Sequence, residues 1–110
     1  MVVDKGDNPL NFVDPSGTAM FVYSIQRGVE LGLLKAKEYT PVAYRGYQSL
    51  FPFIQVNDRG LLDVIGACDG VVIKKNFIEY VTVPKILNAK EAVAGILWAA
   101  VIMETEQLKK

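Results

Sequence analysis

The first long run of hydrophobic positions, residues 18–34, covers most sides of a predicted helix. Asp14 is a favoured N-cap residue, with Ser16 as an alternative, and Pro15 fits the first helical position because its missing N–H costs no bond there. The pattern predicts a helix from Pro15 to Leu34 that is apolar on nearly all sides. Its polar residues form one narrow stripe: Ser24, Gln26, Arg27 and Glu30.

The next predicted helix, between Thr40 and Pro52, is apolar on one side only. Thr40 is a suitable N-cap and Pro41 a suitable first residue, and the helix should end before Pro52, because a residue that precedes proline resists the helical conformation. We therefore predict an amphipathic outer helix. The apolar positions recur at helical spacing: Val42, Ala43, Gly46, Tyr47 and Leu50.

Residues 53–66 read FIQVNDRGLLDVIG and predict two short strands around an NDRG turn. Residues 67–87 are the least regular part of the chain. They contain the pair Lys74–Lys75, which we expect in a solvated loop, and the β-branched stretch IEYVTVP, which we expect to be extended.

The last helix carries the longest uninterrupted apolar run, the twelve residues from Ala92 to Met103, with Trp98 inside it. Asn88 as N-cap and Glu91 at the third helical position would form a capping box. A run of this length is too short to cross a bilayer, so it predicts a buried helix and no membrane span.

These elements are too few to bury one another. One amphipathic helix and a hairpin cannot cover two helices that are apolar nearly all round. A hydrophobic fraction of 51% with a formal charge of zero also favours association. We expect the missing cover to come from another copy, another subunit or a missing N-terminal region, and the isolated chain to be oligomeric or aggregation-prone.

Composition excludes several functions. Twelve basic and twelve acidic residues leave no electrostatic footprint for nucleic acid or for an anionic membrane. The chain has no histidine, so it cannot build a Ser-His-Asp or Cys-His nucleophile or a histidine-ligated zinc site. Its one cysteine, Cys68, cannot form an intrachain disulfide, and we expect a buried, inert thiol. The charged start, MVVDKGDNPL, does not resemble a secretory signal.

Four segments in order, DPSGTAMFVYSIQRGVELGLL, YTPVAYRGYQSL, DRGLLDVIGACDG and YVTVPKILNAKEAVAGILWAAVIMET, resemble the C-terminal portion of glycoside hydrolase family 105. This family of unsaturated rhamnogalacturonyl hydrolases is related to the unsaturated glucuronyl hydrolases of family 88. The resemblance extends from about residue 2 to about residue 105. It implies a mainly α fold in which residues 1–110 form a single C-terminal fragment of an (α/α)6 toroid, with three main helices and a small β-hairpin.

The resemblance also implies an activity. The family removes an unsaturated uronic acid from lyase-generated oligosaccharides by hydrating the C4–C5 double bond. An aspartate serves as general acid and base, the hemiketal product opens spontaneously, and neither a metal nor a cofactor is required. The family's catalytic aspartates lie in parts that this sequence does not contain, so no catalytic residue is assigned and the isolated chain is expected to be inactive. The intact protein is expected to be cytoplasmic or periplasmic. The alternative is a non-catalytic helical module that folds by self-association.

Six residues at the starts of the two apolar helices are candidates for lining the sugar cavity, because a helix N-terminus favours a substrate carboxylate. Each also has a structural explanation: a cap, a residue kept small where helices crowd, or a solvated lysine. The candidates are Asp14, Ser16, Gly17, Thr18, Asn88 and Lys90.

Overall fold

The computed structural model describes residues 6–68 and 74–109, and most of them are helical. The predicted three main helices and β-hairpin are confirmed, and a short helix and a second strand pair accompany them. In chain order the elements are α1 (Pro15–Glu30), α2 (Ala36–Gln48), a 3-10 turn (Phe51–Phe53), β1 (Ile54–Val56), β2 (Leu62–Val64), β3 (Ala67–Cys68), α3 (Phe77–Val81), β4 (Lys85–Ile86) and α4 (Lys90–Leu108).

Helix α1 begins as predicted but ends four residues early. Asp14 is extended and caps the helix. Gly32 adopts a left-handed conformation, with φ +77°, and therefore stops the helix at Glu30. The N–H of Leu33 then donates to the carbonyl of Gly28 at 2.9 Å, which satisfies a carbonyl that the helix leaves unpaired.

Helix α2 begins five residues before the predicted Pro41, with Lys35 as a cap that makes no side-chain bond. Thr40 does not cap the helix, because it is the fifth residue inside it, and its hydroxyl donates to Oε1 of Gln26 at 3.1 Å. Gln26, a member of the polar stripe of α1, is fully buried and faces α2. Pro41 lies inside the helix and contributes no N–H to it.

The apolar side of α2 packs against α1, as the one-sided pattern predicts. Ala43 and Tyr47 of α2 are buried, as is Leu50, which follows the end of the helix at Gln48. Gly46 allows a close approach, since a Cβ there would lie 2.7 Å from Cγ2 of Val22.

The predicted hairpin is present. Strands β1 and β2 pair antiparallel, with Ile54 opposite Val64, and the N–H of Gly60 donates to the carbonyl of Asn57 at 2.9 Å to close the turn. Strands β3 and β4 form the second antiparallel pair, with Cys68 opposite Lys85.

The prediction of an extended IEYVTVP segment is wrong, because Phe77–Val81 is helix α3. Oδ1 of Asn76 accepts the N–H of Glu79, and the Glu79 carboxylate accepts the N–H of Lys75 at 3.0 Å. These local side-chain bonds outweigh β propensity. Lys75 is exposed and Lys74 half-buried. The part of the predicted irregular segment at residues 69–73 lies outside the described residues.

Helix α4 begins at Lys90, and its cap is Ala89, not the predicted Asn88. Glu91 therefore occupies the second helical position, and the predicted capping box is wrong. One side of α4 packs on α1, where Ala92, Ile96, Ala99 and Met103 are buried. The opposite side of α4 is exposed and also apolar, as predicted from hydrophobic positions that surround the whole helix. In the described part of the chain, no helix is long and apolar enough to cross a membrane.

Candidate functional site

Helices α1 and α4 run parallel, so both N-termini lie at the same end of the pair. A Cβ on Gly95 would lie 3.3 Å from Cβ of Ala19, and further along both helices the rings of Tyr23 and Trp98 meet edge to face at 5.0 Å. Residue numbers thus rise in the same direction along the two helices. The candidate residues from both helix starts are therefore at one end of the molecule.

The start of α1 is a compact hydrogen-bonded turn. Oδ1 of Asp14 accepts the Ser16 N–H at 2.9 Å and the Ser16 hydroxyl at 2.6 Å. The carbonyl of Asp14 accepts both the N–H and the hydroxyl of Thr18 at 3.2 Å. Asp14 is only 8% exposed, which fits its N-cap role. Ser16, Gly17 and Thr18 are half-buried and stay partly accessible, so contact with a substrate remains a prediction for them.

Cys68 lies close to this turn and is buried, as expected. Burial raises the pKa of its thiol, and the nearby carboxylate of Asp14 raises that pKa further. A thiol held in its protonated form is a poor nucleophile, so the arrangement fits the predicted inert cysteine. The Nζ of Lys85, on the facing strand, lies over the Phe12 ring at 4.3 Å.

Asn88, at the start of α4, is bonded to the hairpin. Its Oδ1 accepts the N–H of Val64 at 2.7 Å, and its Nδ2 donates to Oδ1 of Asp63 at 3.0 Å. The same Asp63 oxygen accepts from Nδ2 of Asn57 at 3.3 Å. Both polar atoms of the Asn88 side-chain amide therefore already have hydrogen-bond partners within the chain. Sequence analysis missed the role of Asp63, because 25 residues separate it from Asn88 and no local pattern connects them.

An open cavity of about 720 Å3 lies between the hairpin and α4. Asn88 and Lys90 form its polar part, so the structure brings these two candidates together, whereas Asp14 is not among the lining residues. Lys90 is exposed and can offer its ammonium group to an anion. The apolar part of the wall consists of Ile54, Leu62, Val64, Val93, Ala94, Ile96 and Leu97.

A second open cavity, of about 490 Å3, lies between α1 and α4. Sequence analysis did not single out its walls. The spacing of Glu91, Ala94, Gly95 and Trp98 at intervals of one, three and four residues could have placed them on one helix face. The full lining is Met20, Tyr23, Ser24, Glu91, Ala94, Gly95 and Trp98.

Among the described residues, 6–68 and 74–109, no three or more His, Cys, Asp or Glu side chains lie close enough together to bind a metal ion. The polar groups at the two helix starts are hydroxyls, amides, N–H groups, the ammonium of Lys90 and the carboxylates of Asp14 and Glu91. Such a set can bind and orient an anionic or hydroxylated ligand.

Comparison with known proteins places the chain in a family. The sequence model of Glycosyl Hydrolase Family 88 matches residues 1–107. A solved structure of a family 105 glycoside hydrolase from C. acetobutylicum ATCC 824 superposes with a TM-score of 0.85 at 27% identity. The match covers 94% of this chain and 31% of that hydrolase. No curated protein matches significantly. The predicted fold, a mainly helical portion of a toroidal glycosidase, is confirmed, and the chain belongs to glycosyl hydrolase family 88.

Proposed function

We propose that this chain is the C-terminal part of an unsaturated uronyl hydrolase of the rhamnogalacturonyl type, which acts on lyase-generated oligosaccharides. The observation that carries the proposal is the family match over residues 1–107. Because the chain spans only 31% of the family 105 hydrolase that it resembles, we assign the catalytic aspartates to the remainder of such an enzyme. In this proposal the chain alone does not turn over substrate.

The proposed contribution of this chain is to bind the uronate. The unsaturated sugar carries a carboxylate, and the start of α4, whose cap Ala89 makes no side-chain bond, offers N–H groups and a positive helix-dipole end, whereas the start of α1 is already capped by the carboxylate of Asp14. Lys90 adds a full positive charge beside the cavity between α4 and the hairpin. Ser16 and Thr18 supply hydroxyls that can donate to sugar oxygens by rotating out of their contacts with Asp14.

The reaction proposed for the complete site is hydration. A proton adds to C4 of the unsaturated sugar and a hydroxide from water adds to C5, so one water molecule is consumed and the hemiketal formed at C5 opens. A group that fixes the carboxylate on C5 sets the face on which water arrives. Lys90 and the first turn of α4 are proposed to position that carboxylate, and the hydroxyls of Ser16 and Thr18 to position the sugar.

The test is binding of an unsaturated galacturonyl-rhamnose disaccharide to the chain, followed by NMR of the backbone amides. We expect shifts at Ser16, Gly17, Thr18 and Lys90, weaker binding by Lys90→Gln, and no loss of the ultraviolet absorbance of the double bond. Lys109→Gln is a matched control, because it removes the same charge at the opposite end of α4.

Each part of the proposal can fail separately. An absence of shifts at the two helix starts at millimolar ligand would contradict the assigned site. Equal binding of the saturated disaccharide would contradict selection of the unsaturated sugar. Turnover by this chain alone would contradict the assignment of the proton-transferring aspartate to another part of the enzyme.

A second candidate function is a non-catalytic helical module that folds by self-association. It is favoured by one observation: on the exposed side of α4, Trp98 is 60% and Val101 is 68% exposed. Light scattering of the chain at several concentrations tests it, since a monomer at every concentration would contradict it.

A further inference from the structure

Asp63, on β2, is bonded both to the hairpin turn and to the segment that leads into α4. Its Oδ1 accepts a hydrogen bond from Nδ2 of Asn57 at 3.3 Å and another from Nδ2 of Asn88 at 3.0 Å. Asn57 organises the turn, because its own Oδ1 accepts the N–H groups of Arg59 and Leu61. One carboxylate oxygen therefore connects the turn with a residue that lies just before α4.

The chemistry of Asp63 suits this connecting position. Within residues 6–68 and 74–109 its carboxylate makes no ion pair, so its partners there are the two amides. A carboxylate only accepts, so both amides can donate to it, and hydrogen bonds to a charged acceptor are stronger than bonds between neutral groups. Asp63 is half-buried, which partly shields these bonds from water. The residue can therefore hold Asn88 in one orientation.

Asn88 transmits this constraint to the helix. Its side chain is bonded at both polar atoms, to Val64 and to Asp63, and only Ala89 separates it from Lys90, the first residue of α4. Ala89 provides no side-chain cap, so the first turn of α4 is not fixed by a capping bond. Asn88 and Lys90 line the same open cavity of about 720 Å3. A shift of Asn88 would therefore move Lys90 and the first turn of α4 relative to this cavity.

We propose that Asp63 is a positioning residue for the substrate uronate. Through Asn88 it holds the start of α4, so that Lys90 and the N–H groups of the first turn meet the carboxylate in one geometry. This inference rests on the proposed function, which assigns the uronate to that start. Asp63 does not line the cavity, so it acts through Asn88 and not by contact with the sugar. Binding groups are effective only when neighbouring residues fix their orientation.

The test compares binding of the unsaturated galacturonyl-rhamnose disaccharide by the whole chain and its variants, followed at the Lys90 amide by NMR. Asp63→Ala loses both hydrogen bonds and should raise the dissociation constant at least about fivefold. Asp63→Asn keeps an oxygen for both donors and should stay within about twofold of the wild type. Gly32→Ala is the control for stability, because it strains a left-handed residue after the other end of α1 and should leave affinity unchanged.

A double-mutant cycle with Lys90→Gln distinguishes positioning from a general loss of stability. If Asp63 acts through the start of α4, the combined variant should lose less affinity than the product of the two single losses. A combined loss equal to that product would overturn the inference. Wild-type affinity in Asp63→Ala, or equally weak binding by Asp63→Asn or Gly32→Ala, would also overturn it.

These failures differ from a failure of the proposed function. If the wild type binds at the helix starts and Lys90→Gln binds more weakly, the proposed uronate site stands whatever the Asp63 variants do. A wild-type chain that does not bind the disaccharide at millimolar concentration would overturn both the site and the positioning role of Asp63.

Discussion

Asn88 pairs with Val64 as though it were a strand residue. The N–H of Asn88 donates to the carbonyl of Val64 at 2.8 Å, and its side-chain Oδ1 accepts the N–H of Val64 at 2.7 Å. The backbone of Asn88 is left-handed, with φ +55°, a conformation that asparagine tolerates better than most residues. This pair therefore ties the start of α4 to the hairpin.

Replacing Asn88 should loosen that connection. Asn88→Gly keeps an unstrained left-handed backbone but loses both side-chain bonds, which should lower the free energy of unfolding by about 1–2 kcal/mol. Asn88→Ala should cost about 1 kcal/mol more, because alanine is strained at this φ. Urea unfolding measures both, and faster hydrogen exchange at the Val64 amide locates the effect.

Asn88→Asp keeps the side-chain bond to the Val64 N–H and removes the one to Asp63, so it tests the two bonds separately. The carboxylate can still accept from Val64, but it faces the carboxylate of Asp63, which now accepts from the Asn88 amide at 3.0 Å. This variant should therefore be less stable than the wild type at neutral pH and recover when the carboxyl groups are protonated. Equal stability of all three variants and the wild type would show that the pairing does not hold the helix start.

Gly32 offers a test of backbone conformation alone. Its φ is +77°, and a Cβ there would meet nothing within 4 Å, so Gly32→Ala should lose about 1 kcal/mol through strain and not through a clash. Gly6→Ala is the control, because a Cβ there also has open space and Gly6 has no left-handed backbone. Thermal unfolding of the two variants compares them, and equal melting temperatures would contradict the proposed strain.

Local signals allowed much of this fold to be predicted. The Asp14–Pro15 start of α1 depends on residues adjacent in sequence, and the hairpin depends on its NDRG turn. The exposed apolar sides of α1 and α4 were also predictable, because the hydrophobic positions surround both helices.

The errors arise where distant residues compete for a side chain. Thr40 lies inside α2 and bonds to Gln26 on the neighbouring helix, and Asn88 lies one residue before the cap of α4 and bonds to Val64 on the hairpin. No spacing rule within a helix reveals partners 14 or 24 residues away. For the same reason, the sequence did not reveal that Asp63 on β2 accepts a hydrogen bond from the candidate site residue Asn88.

Helix α2 can be stabilised at its true start. Lys35 is the N-cap, its backbone is extended as a cap requires, and its side chain makes no cap bond. Lys35→Asp should add about 1 kcal/mol to the free energy of unfolding, because the carboxylate accepts a free N–H and favours the positive helix end. Lys35→Ala removes the lysine charge without adding a cap, so the difference between the variants measures the cap itself. If Thr40→Ala destabilised α2 through loss of a cap while Lys35→Asp had no effect, the start at Ala36 would be contradicted.

Tyr47 should make stability fall at alkaline pH. Its hydroxyl donates to Oε1 of Glu104 at 2.7 Å. Burial, followed by that bond and the charge of Glu104, raises the pKa of Tyr47 from 10 to about 12. The unfolded chain therefore loses this proton at a lower pH than the folded chain. The stabilisation from the neutral phenol is complete below about pH 10 and is lost progressively as pH rises towards 12.

Tyr47→Phe should remove this part of the alkaline decline and also cost about 1–2 kcal/mol at neutral pH, because Glu104 loses its donor. Glu104→Gln should lower the pKa of Tyr47 towards 10, since the carboxylate charge that opposes ionisation is gone. Glu38→Gln, which removes an exposed carboxylate from the first turn of α2, is the control for net charge. Urea unfolding at a series of alkaline pH values gives the slopes, and tyrosinate absorbance follows the ionisation. Identical slopes for the wild type and Tyr47→Phe would show that Tyr47 is not responsible, because the link between protonation and folding requires the slopes to differ.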